Sequence, residues 1–583
     1  MMTPTTAAPS GVPSVPSPGT DFPSRICRIT GLRVDRQAER LIMVNAVTAI
    51  VFLLLGGIAA LLLAMTRWPV IGLLSHSSEM FYRVLTFHGM NMLVYWIIFF
   101  EVGGLYLGGA VVLNARLVKP RVAWLAYALM LGGALLTDAQ IVAGKADVMY
   151  TSYVPLKGPS PFYLGTVLFL LGALLAVGLF FATLIMARVE HRYEGSLPLV
   201  TFGLAAAAIL AVSSIVGGLF TYVPAFFWSL GLMHLDPQVY RLDWWLLGHG
   251  TQQVNLAAMV SIWYLLAFIT VGAKALNERF SRTAFVLYIL TIQLGSVHHI
   301  LGDPGLSTSF KIWTTSYAMY AAVLGSMMHA FSIPGGIEVA QRAKGYTKGI
   351  FQWLRKAPWR EPGFSALVLS MVIFGFLGGT TGVAYGHVQT NMLVHNTLAV
   401  PGHFHETVVG GTTLAFMGLT YYVLPLIFRR EVVGMKLARI QPYLFGIGIA
   451  LMGVAMMHAG EVYGVPRRVP SLSYLGASVP VSFPIGAYLS LDAAAVGALL
   501  AVTGGAIYVG ISVATVLFGR RIPISNEPMT EAEWGAVIKV QGIPPGTEHH
   551  VPGSLVLVFG FLAFFTLVLL ANFVKLSTVW PIH

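Results

Sequence analysis

Thirteen long apolar stretches constrain this chain more than any other feature of its sequence. Each is long enough to cross a hydrocarbon core about 30 Å thick as a helix, which takes about 20 residues. Of the 583 residues, only 10% are charged, whereas about a quarter are charged in a water-soluble domain. Barrel strands would instead give alternating segments of about 10 residues. We therefore predict an all-α integral membrane bundle with about 13 transmembrane helices, over residues 41–65, 81–113, 121–144, 161–187, 197–228, 245–273, 283–302, 312–333, 362–385, 397–428, 437–460, 489–519 and 553–574.

The spans leave no room for a soluble domain between them. Residues 1–24 are rich in Pro, Ser and Thr, a composition that favours a disordered tail. The longest connections, near 334–361 and 520–552, are too short to form a core of their own. We predict one transmembrane catalytic domain over residues 25–583.

The distribution of Lys and Arg predicts the orientation in the membrane. With a cytoplasmic N-terminus, 26 of the 35 basic residues fall on the cytoplasmic side of the thirteen spans. Cytoplasmic loops of membrane proteins carry such an excess. We expect the N-terminus inside and the C-terminus outside, and the net charge of +12 then needs no nucleic-acid partner.

Six histidines fall at one depth once this orientation is fixed. A titratable side chain inside a membrane is costly unless it is functional, although a single one often only bonds two helices together. Imidazole is a common ligand of haem iron, copper and non-haem iron. The layer in the outer third of the membrane contains His88 in the second span, His249 in the sixth, His298 and His299 in the seventh, and His403 and His405 in the tenth.

The spacing within this layer suggests how the ligands are shared. Residues two apart in a helix point about 200° from one another, so His403 and His405 can bind two different metals. If His405 shares a haem with His88, that haem is six-coordinate and low-spin. His403 would hold a second haem with one open position. The remaining three imidazoles offer a site for a non-haem metal.

Five segments carry a resemblance to a known family: LTFHGMN, LMHLDP followed by DWWLLGH, VHHILGDPG, VHNTLAVPGHFH, and VPRR at 465–468. The chain resembles subunit I of the haem-copper oxidoreductase superfamily, most closely the B-type branch of thermophilic cytochrome c oxidases. The resemblance implies a subunit in a prokaryotic cytoplasmic (inner) membrane. It implies low-spin haem ligation by His88 and His405, high-spin haem ligation by His403, and a second metal, copper or iron, on His249, His298 and His299. It assigns Arg467 and Arg468 to the haem propionates, which suits guanidinium groups.

The sequence departs from the oxygen-reducing relatives one helical turn after His249. Those relatives place a tyrosine there, whereas this chain has Gln253. An amide cannot supply the electron and proton that a tyrosine gives to dioxygen cleavage. Coupling two molecules of nitric oxide requires only two electrons and two protons, and nitric oxide reductases of the superfamily lack this tyrosine. We therefore predict a nitric oxide reductase with Gln253 in its catalytic site.

The sequence also allows other catalytic residues and other functions. Glu406 is a second catalytic candidate, because known nitric oxide reductases carry acids near the metals. The alternative is a dioxygen-reducing cytochrome c oxidase subunit I that takes its fourth electron from Tyr264, Trp244 or Trp245. A non-enzymatic haem channel or transporter is a third possibility. Proton-relay candidates are Glu101, Asp138, Asp492, Ser261, Tyr264 and Ser326.

A single cysteine, Cys27, bears on the source of electrons. It cannot form a two-cysteine copper centre, and a c-type haem attachment also requires two cysteines. We therefore expect a smaller membrane-anchored subunit, with a copper centre or of the cytochrome c type, to deliver electrons from cytochrome c or quinol.

Overall fold

Thirteen helical segments occupy the positions of the thirteen predicted spans. The computed structural model describes residues 22–472, 482–525, 527 and 550–579. Within these residues the segments are α1 (Arg36–Arg67), α2 (Ser78–Val111), α3 (Pro120–Val142), α4 (Ser160–Val189), α5 (Leu199–Ser229), α6 (Pro237–Val271), α7 (Glu278–Thr291), α8 (Met319–Ala343), α9 (Pro362–Gly386), α10 (Ala399–Leu426), α11 (Met435–Tyr463), α12 (Ile485–Phe518) and α13 (Pro552–Val579).

Eleven of these helices in the described part of the chain are long and apolar enough to cross a membrane. The two others are α7 and α8. The first is 14 residues long and continues as a 3₁₀ helix over Ile292–Ile300. A short helix, Thr308–Ile312, and a π-helix, Trp313–Ala318, precede α8. The prediction of an all-α membrane bundle is confirmed, and the count of 13 is approximate.

Ordered structure begins before the predicted end of the N-terminal tail. Residues 1–21 lie outside the described residues, but Ser24–Ile26 forms a strand that pairs antiparallel with Arg33–Asp35. The Asp35 carboxylate accepts hydrogen bonds from the backbone amides of Gln37 (2.7 Å) and Leu117 (2.8 Å), so it caps α1. Ser24, the last residue of the predicted tail, therefore lies in a strand, which the sequence did not indicate because three-residue strands give no readable periodicity.

The two helices that carry His249, His403 and His405 lie at the centre of the bundle. Among the 18 most apolar consecutive residues of each helix, 89% are buried in α10 and 83% in α6, but only 6% are buried in α13. Both α10 and α2 change from α-helical to π-helical winding at or just after a histidine. A π-helix starts at His405 in α10, and another starts at Met90, two residues after His88. Such π segments are frequent at functional sites because they re-aim the neighbouring side chains.

Candidate haem and metal sites

His88 on α2 and His405 on α10 face each other with nearly parallel rings. The ring planes differ by 9° and the ring centroids are 6.4 Å apart. The Nδ1 of His88 lies 3.0 Å from the carbonyl oxygen of Gly56, and the Nδ1 of His405 lies 2.6 Å from that of Pro401. A carbonyl can only accept, so each Nδ1 carries the proton and donates it. Each Nε2 is thereby left with a lone pair for a metal.

This pair fits an iron bound on both faces. The centroid separation is too large for direct packing of the two rings, which would bring their atoms within about 4 Å. It matches two imidazoles that share one central atom through their Nε2 nitrogens. The residues present therefore fit a six-coordinate haem between α2 and α10.

His403 points away from that pair, toward α9. Its Nδ1 lies 3.0 Å from the hydroxyl oxygen of Thr381. Thr381 donates its own proton to a carbonyl of the preceding turn, so its oxygen accepts from His403. A methyl group on Gly382 would come within 2.9 Å of the His403 ring, so α9 packs directly against this imidazole. The structure thus places His403 and His405 on opposite sides of α10, and His403 fits a second haem.

His249, His298 and His299 form a cluster between α6 and the 3₁₀ helix. Their candidate ligand atoms all lie within 4.8 Å of one another. The Nδ1 of His249 is 2.9 Å from the Nε2 of His299, and the His249 and His298 rings lie 4.3 Å apart. Three converging imidazoles fit a first-row transition metal, copper and iron alike.

Two residues of α6 hold this cluster in place. Trp245 stacks on His299, with centroids 3.8 Å apart and an angle of 8° between the planes. The side-chain nitrogen of Gln253 hydrogen-bonds Nε2 of His249. The other ring nitrogen of His249, Nδ1, is the one that faces His299. Gln253 therefore engages the nitrogen that points away from the shared centre and fixes the orientation of the ring.

Glu406 lies in a different place from the three imidazoles. Its side chain is fully buried against α11, where a methyl group on Gly453 would clash with its carboxylate. Neither of its oxygens has a hydrogen-bond partner among the described residues. It is also absent from the one cluster of potential metal ligands found in the described part of the chain. The sequence placed Glu406 beside a ligand, but helical rotation turns it toward the neighbouring helix.

Arg467 and Arg468 line a cavity of about 380 Å³ that also reaches His299. The guanidinium of Arg467 donates to the side chain of Asn396 (3.1 Å). Burial, with Arg468 nearby, lowers the pKa of Arg467 to about 10, so the group stays charged at neutral pH. Burial and the surrounding arginines lower the pKa of His395 to about 4. A cavity with this excess of positive charge fits carboxylates such as haem propionates, and its wall also includes Tyr153, Arg241, Gly302, Asp303, Met392, His395 and Asn396.

Several contacts of the site could not be read from the sequence. Arg67, at the end of α1, donates to the carbonyl of Arg467, and the Tyr82 hydroxyl donates to that of Arg468 (2.9 Å). The Thr381 hydroxyl supports His403 by accepting a hydrogen bond from its Nδ1. Each of these pairs joins residues from different segments of the chain, and no local motif marks them.

The sequence-predicted proton-relay residues are only partly connected. The Tyr264 hydroxyl donates to the Ser281 hydroxyl (2.9 Å) and lies 3.0 Å from Nδ1 of His329. The Ser281 hydroxyl in turn forms a hydrogen bond with that of Ser332 (2.7 Å). Ser326 bonds the Tyr288 hydroxyl (2.9 Å), whereas the Ser261 hydroxyl donates within its own helix. Of the buried acids, Asp138 accepts two hydrogen bonds from Asn91 (3.2 and 3.1 Å).

Comparison with known proteins identifies the family. Residues 40–507 match the family described as cytochrome c and quinol oxidase polypeptide I. The chain belongs to this family. It is 30% identical over 433 residues to cytochrome c oxidase subunit 1 of Thermus thermophilus, covering 72% of this chain and 75% of that protein. It is 26% identical over 445 residues to cytochrome c oxidase subunit 1 of Synechocystis, covering 70% and 73%.

Solved structures agree with this membership of the oxidase polypeptide I family. The chain matches a heme-copper terminal oxidase dimer solved by cryo-electron microscopy, with a TM-score of 0.80 and 26% identity. The match covers 93% of this chain and 92% of that one. The predicted superfamily is confirmed, and the protein is a multi-pass membrane oxidoreductase subunit of the haem-copper type. Membership argues against the haem channel or transporter.

Proposed function

We propose that this subunit reduces nitric oxide to nitrous oxide at a high-spin haem and a second metal, fed by a low-spin haem. The observation that supports this substrate is the hydrogen bond between Gln253 and His249. Gln253 stands in the position where the oxygen-reducing relatives carry a redox-active tyrosine, and an amide has no accessible oxidation. The other side chains that the resemblance assigns to the haems and the second metal are all present.

The chain's own residues would hold the reacting groups. His88 and His405 would hold the low-spin haem, His403 the high-spin haem, and the cluster of His249, His298 and His299 the second metal. When bound, these groups supply the electrons. Gln253 keeps Nδ1 of His249 directed at the shared centre. Reduction of two nitric oxide molecules consumes two electrons and two protons and yields one nitrous oxide and one water, so no side chain has to be oxidised.

The proposal includes a source of electrons and an orientation of the chain in the membrane. A smaller membrane-anchored subunit, with a copper centre or of the cytochrome c type, would receive electrons from cytochrome c or quinol, because Cys27 alone cannot bind such a centre. The N-terminus would face the cytoplasm and the C-terminus the outside of a prokaryotic cytoplasmic membrane.

Reduction of dioxygen is the second candidate, and the names of the relatives favour it. The Thermus and Synechocystis proteins are cytochrome c oxidase subunits. Among the donors predicted for this case, Trp245 stacks directly on His299. The Tyr264 hydroxyl instead bonds Ser281 and lies beside His329. An oxidase function would therefore make Trp245 the first residue to test as the electron donor.

Steady-state turnover of the purified holoenzyme with each gas decides between the two functions. We expect nitric oxide consumption with stoichiometric nitrous oxide and slow dioxygen consumption. Gln253→Tyr should lower the nitric oxide rate, and Gln253→Glu serves as a size-matched control that cannot form a tyrosyl radical. Fast dioxygen turnover by the unmodified enzyme, with negligible nitric oxide turnover, would exclude the proposal.

A further inference from the structure

Glu101 lies in a small cavity to which neither α9 nor α10 contributes a residue. The cavity has a volume of about 40 Å³ and is enclosed by α2, α4, α5 and α6. A cavity needs about 10–15 Å³ to hold one water, so this one has room for about two or three. Its wall is mostly Ala, Val, Leu and Ile, with three polar residues, Glu101, Ser214 and Thr251.

The Glu101 carboxylate is tied to the helix that carries His249. The Asn255 side-chain amide has one orientation in which both its oxygen and its nitrogen find hydrogen-bond partners. In that orientation its nitrogen donates to Glu101 Oε1 (2.9 Å) and to the carbonyl of Thr251 (3.0 Å). Asn255 follows His249 by six residues, or about 9 Å along the helix axis. Glu101 is the only titratable residue in the cavity wall among the described residues. α4 and α5 contribute no charged group to this wall.

Polar groups continue from the cavity toward the metal cluster. The hydroxyl of Ser214, in the cavity wall, accepts a hydrogen bond from the side chain of Gln293 (3.0 Å). Gln293 belongs to the 3₁₀ helix that ends with His298, His299 and Ile300. The Ser214 oxygen also lies beside the backbone of Gly250, the residue after His249. One end of the cavity therefore reaches the backbone that positions the metal ligands.

The other end of the cavity lies toward the predicted cytoplasmic side. Its wall on α5 extends from Leu204 to Ile215, which is about 16 Å along the helix. Leu204 is five residues from the start of α5 at Leu199, the end that the distribution of basic residues places in the cytoplasm. The wall at this end is apolar, so a water there would bond other waters and the carboxylate.

We infer that Glu101 is a proton-relay residue that supplies protons to the metal site from the predicted cytoplasmic side. The carboxylic acid gives its proton to a water at the Ser214 end and takes another from a water at the Leu204 end, and no electron moves. The inference rests on a reductase that consumes protons, and it holds for nitric oxide and dioxygen alike. Its failure is thus separate from a failure of the nitric oxide proposal.

Glu101→Gln tests the inference, because it keeps the shape and the contact with Asn255 but cannot transfer a proton. With whichever gas supports turnover, we expect the rate to fall about 100-fold, the low end of the range for loss of a proton-transfer group, with a larger solvent deuterium effect. Glu101→Asp should restore a substantial part of the rate. Glu79→Gln, the same change at the outer end of α2, should leave the rate unchanged.

A spectroscopic readout separates a relay from a structural role. The redox-difference infrared spectrum of the holoenzyme should contain a carboxylic-acid carbonyl band that shifts in heavy water and disappears in Glu101→Gln. Ala207→Leu, which fills the cavity, should slow turnover while that band persists. A wild-type rate and deuterium effect in Glu101→Gln would overturn the inference. So would a Glu101→Gln or Ala207→Leu variant that changes only the KM for the gas, which would make the cavity a gas path.

Discussion

The side-chain amide of Gln253 hydrogen-bonds the Nε2 of His249, four residues earlier on α6. His249 Nδ1 faces His299 at 2.9 Å, so the two ring nitrogens have separate partners. The Gln253 amide nitrogen makes this contact. For Nδ1 to bind a metal, Nε2 must carry the proton, and a 180° rotation of the Gln253 amide would then present its carbonyl oxygen as the acceptor. If His249 binds the second metal as proposed, Gln253 is a positioning residue for that ligand.

Gln253→Leu should therefore weaken binding of the second metal. The leucine keeps the volume but removes the amide that orients His249. Loss of such a supporting hydrogen bond typically lowers metal affinity about 10–100-fold. Metal content per haem after dialysis against a graded chelator measures this, with Gln253→Asn as the polar control. Full metal retention in Gln253→Leu would contradict the role.

His88→Ala should remove the low-spin haem while leaving the high-spin haem in place. The reason is that His88 and His405 face one another across a 6.4 Å gap, whereas His403 is turned toward Thr381 on α9. Optical and electron-paramagnetic-resonance spectra, with haem quantified per chain, measure the loss. His403→Ala is the matched control and should give the reverse pattern. An equal loss of both haems from His88→Ala, with the chain still folded, would refute the assignment.

Glu39→Gln should destabilise the predicted cytoplasmic end of the bundle. Glu39 is buried and accepts from Nε of Arg25 at 2.6 Å, and Arg25 also donates to the carbonyl of Leu426 (2.6 Å). Removing one partner of a buried pair leaves an uncompensated charge and costs about 3–5 kcal/mol. Thermal unfolding in detergent measures the effect. The double variant Arg25→Met with Glu39→Met should be less damaging than Glu39→Gln, and an equal or larger loss would contradict the mechanism.

Glu190 should give a pH-dependent contribution to stability. Burial raises the pKa of its carboxyl, but hydrogen bonds from Arg116 (2.7 Å) and Arg192 (3.0 Å) outweigh this and lower it below 4.5. The unfolded chain then binds more protons at low pH, so stability rises with pH. The contribution, at most about 1 kcal/mol, is present above pH 4.5 and is lost as the pH falls through the lowered value.

Comparing the melting temperatures of Glu190→Gln and the wild type from neutral pH to below pH 4.5 tests the direction of this pH dependence. The melting temperature of the variant should be lower at neutral pH, and the difference should vanish in acid. A difference that grows as the pH falls would show that Glu190 acts in some other way.

The sequence by itself determined the membrane class and the family. Continuous apolar runs leave only helices as spanning structures, because every backbone polar group must be bonded within its own segment. The two-residue spacing of His403 and His405 determined that they face opposite sides, because helical rotation is a local property. The sequence could not fix the 3₁₀ winding after α7 or the strand at Ser24, which depend on packing.

Only the tertiary structure decided what the buried acids and the supporting side chains contact. Glu406 follows His405 in the chain, yet it packs on α11 at Gly453. Glu101 lies 13 residues after His88, yet it bonds Asn255 on α6. Thr381 and Arg67 meet the site from helices far away in sequence. Periodicity gives the direction of a side chain around its own helix, but the partner in that direction is set by how the helices pack together.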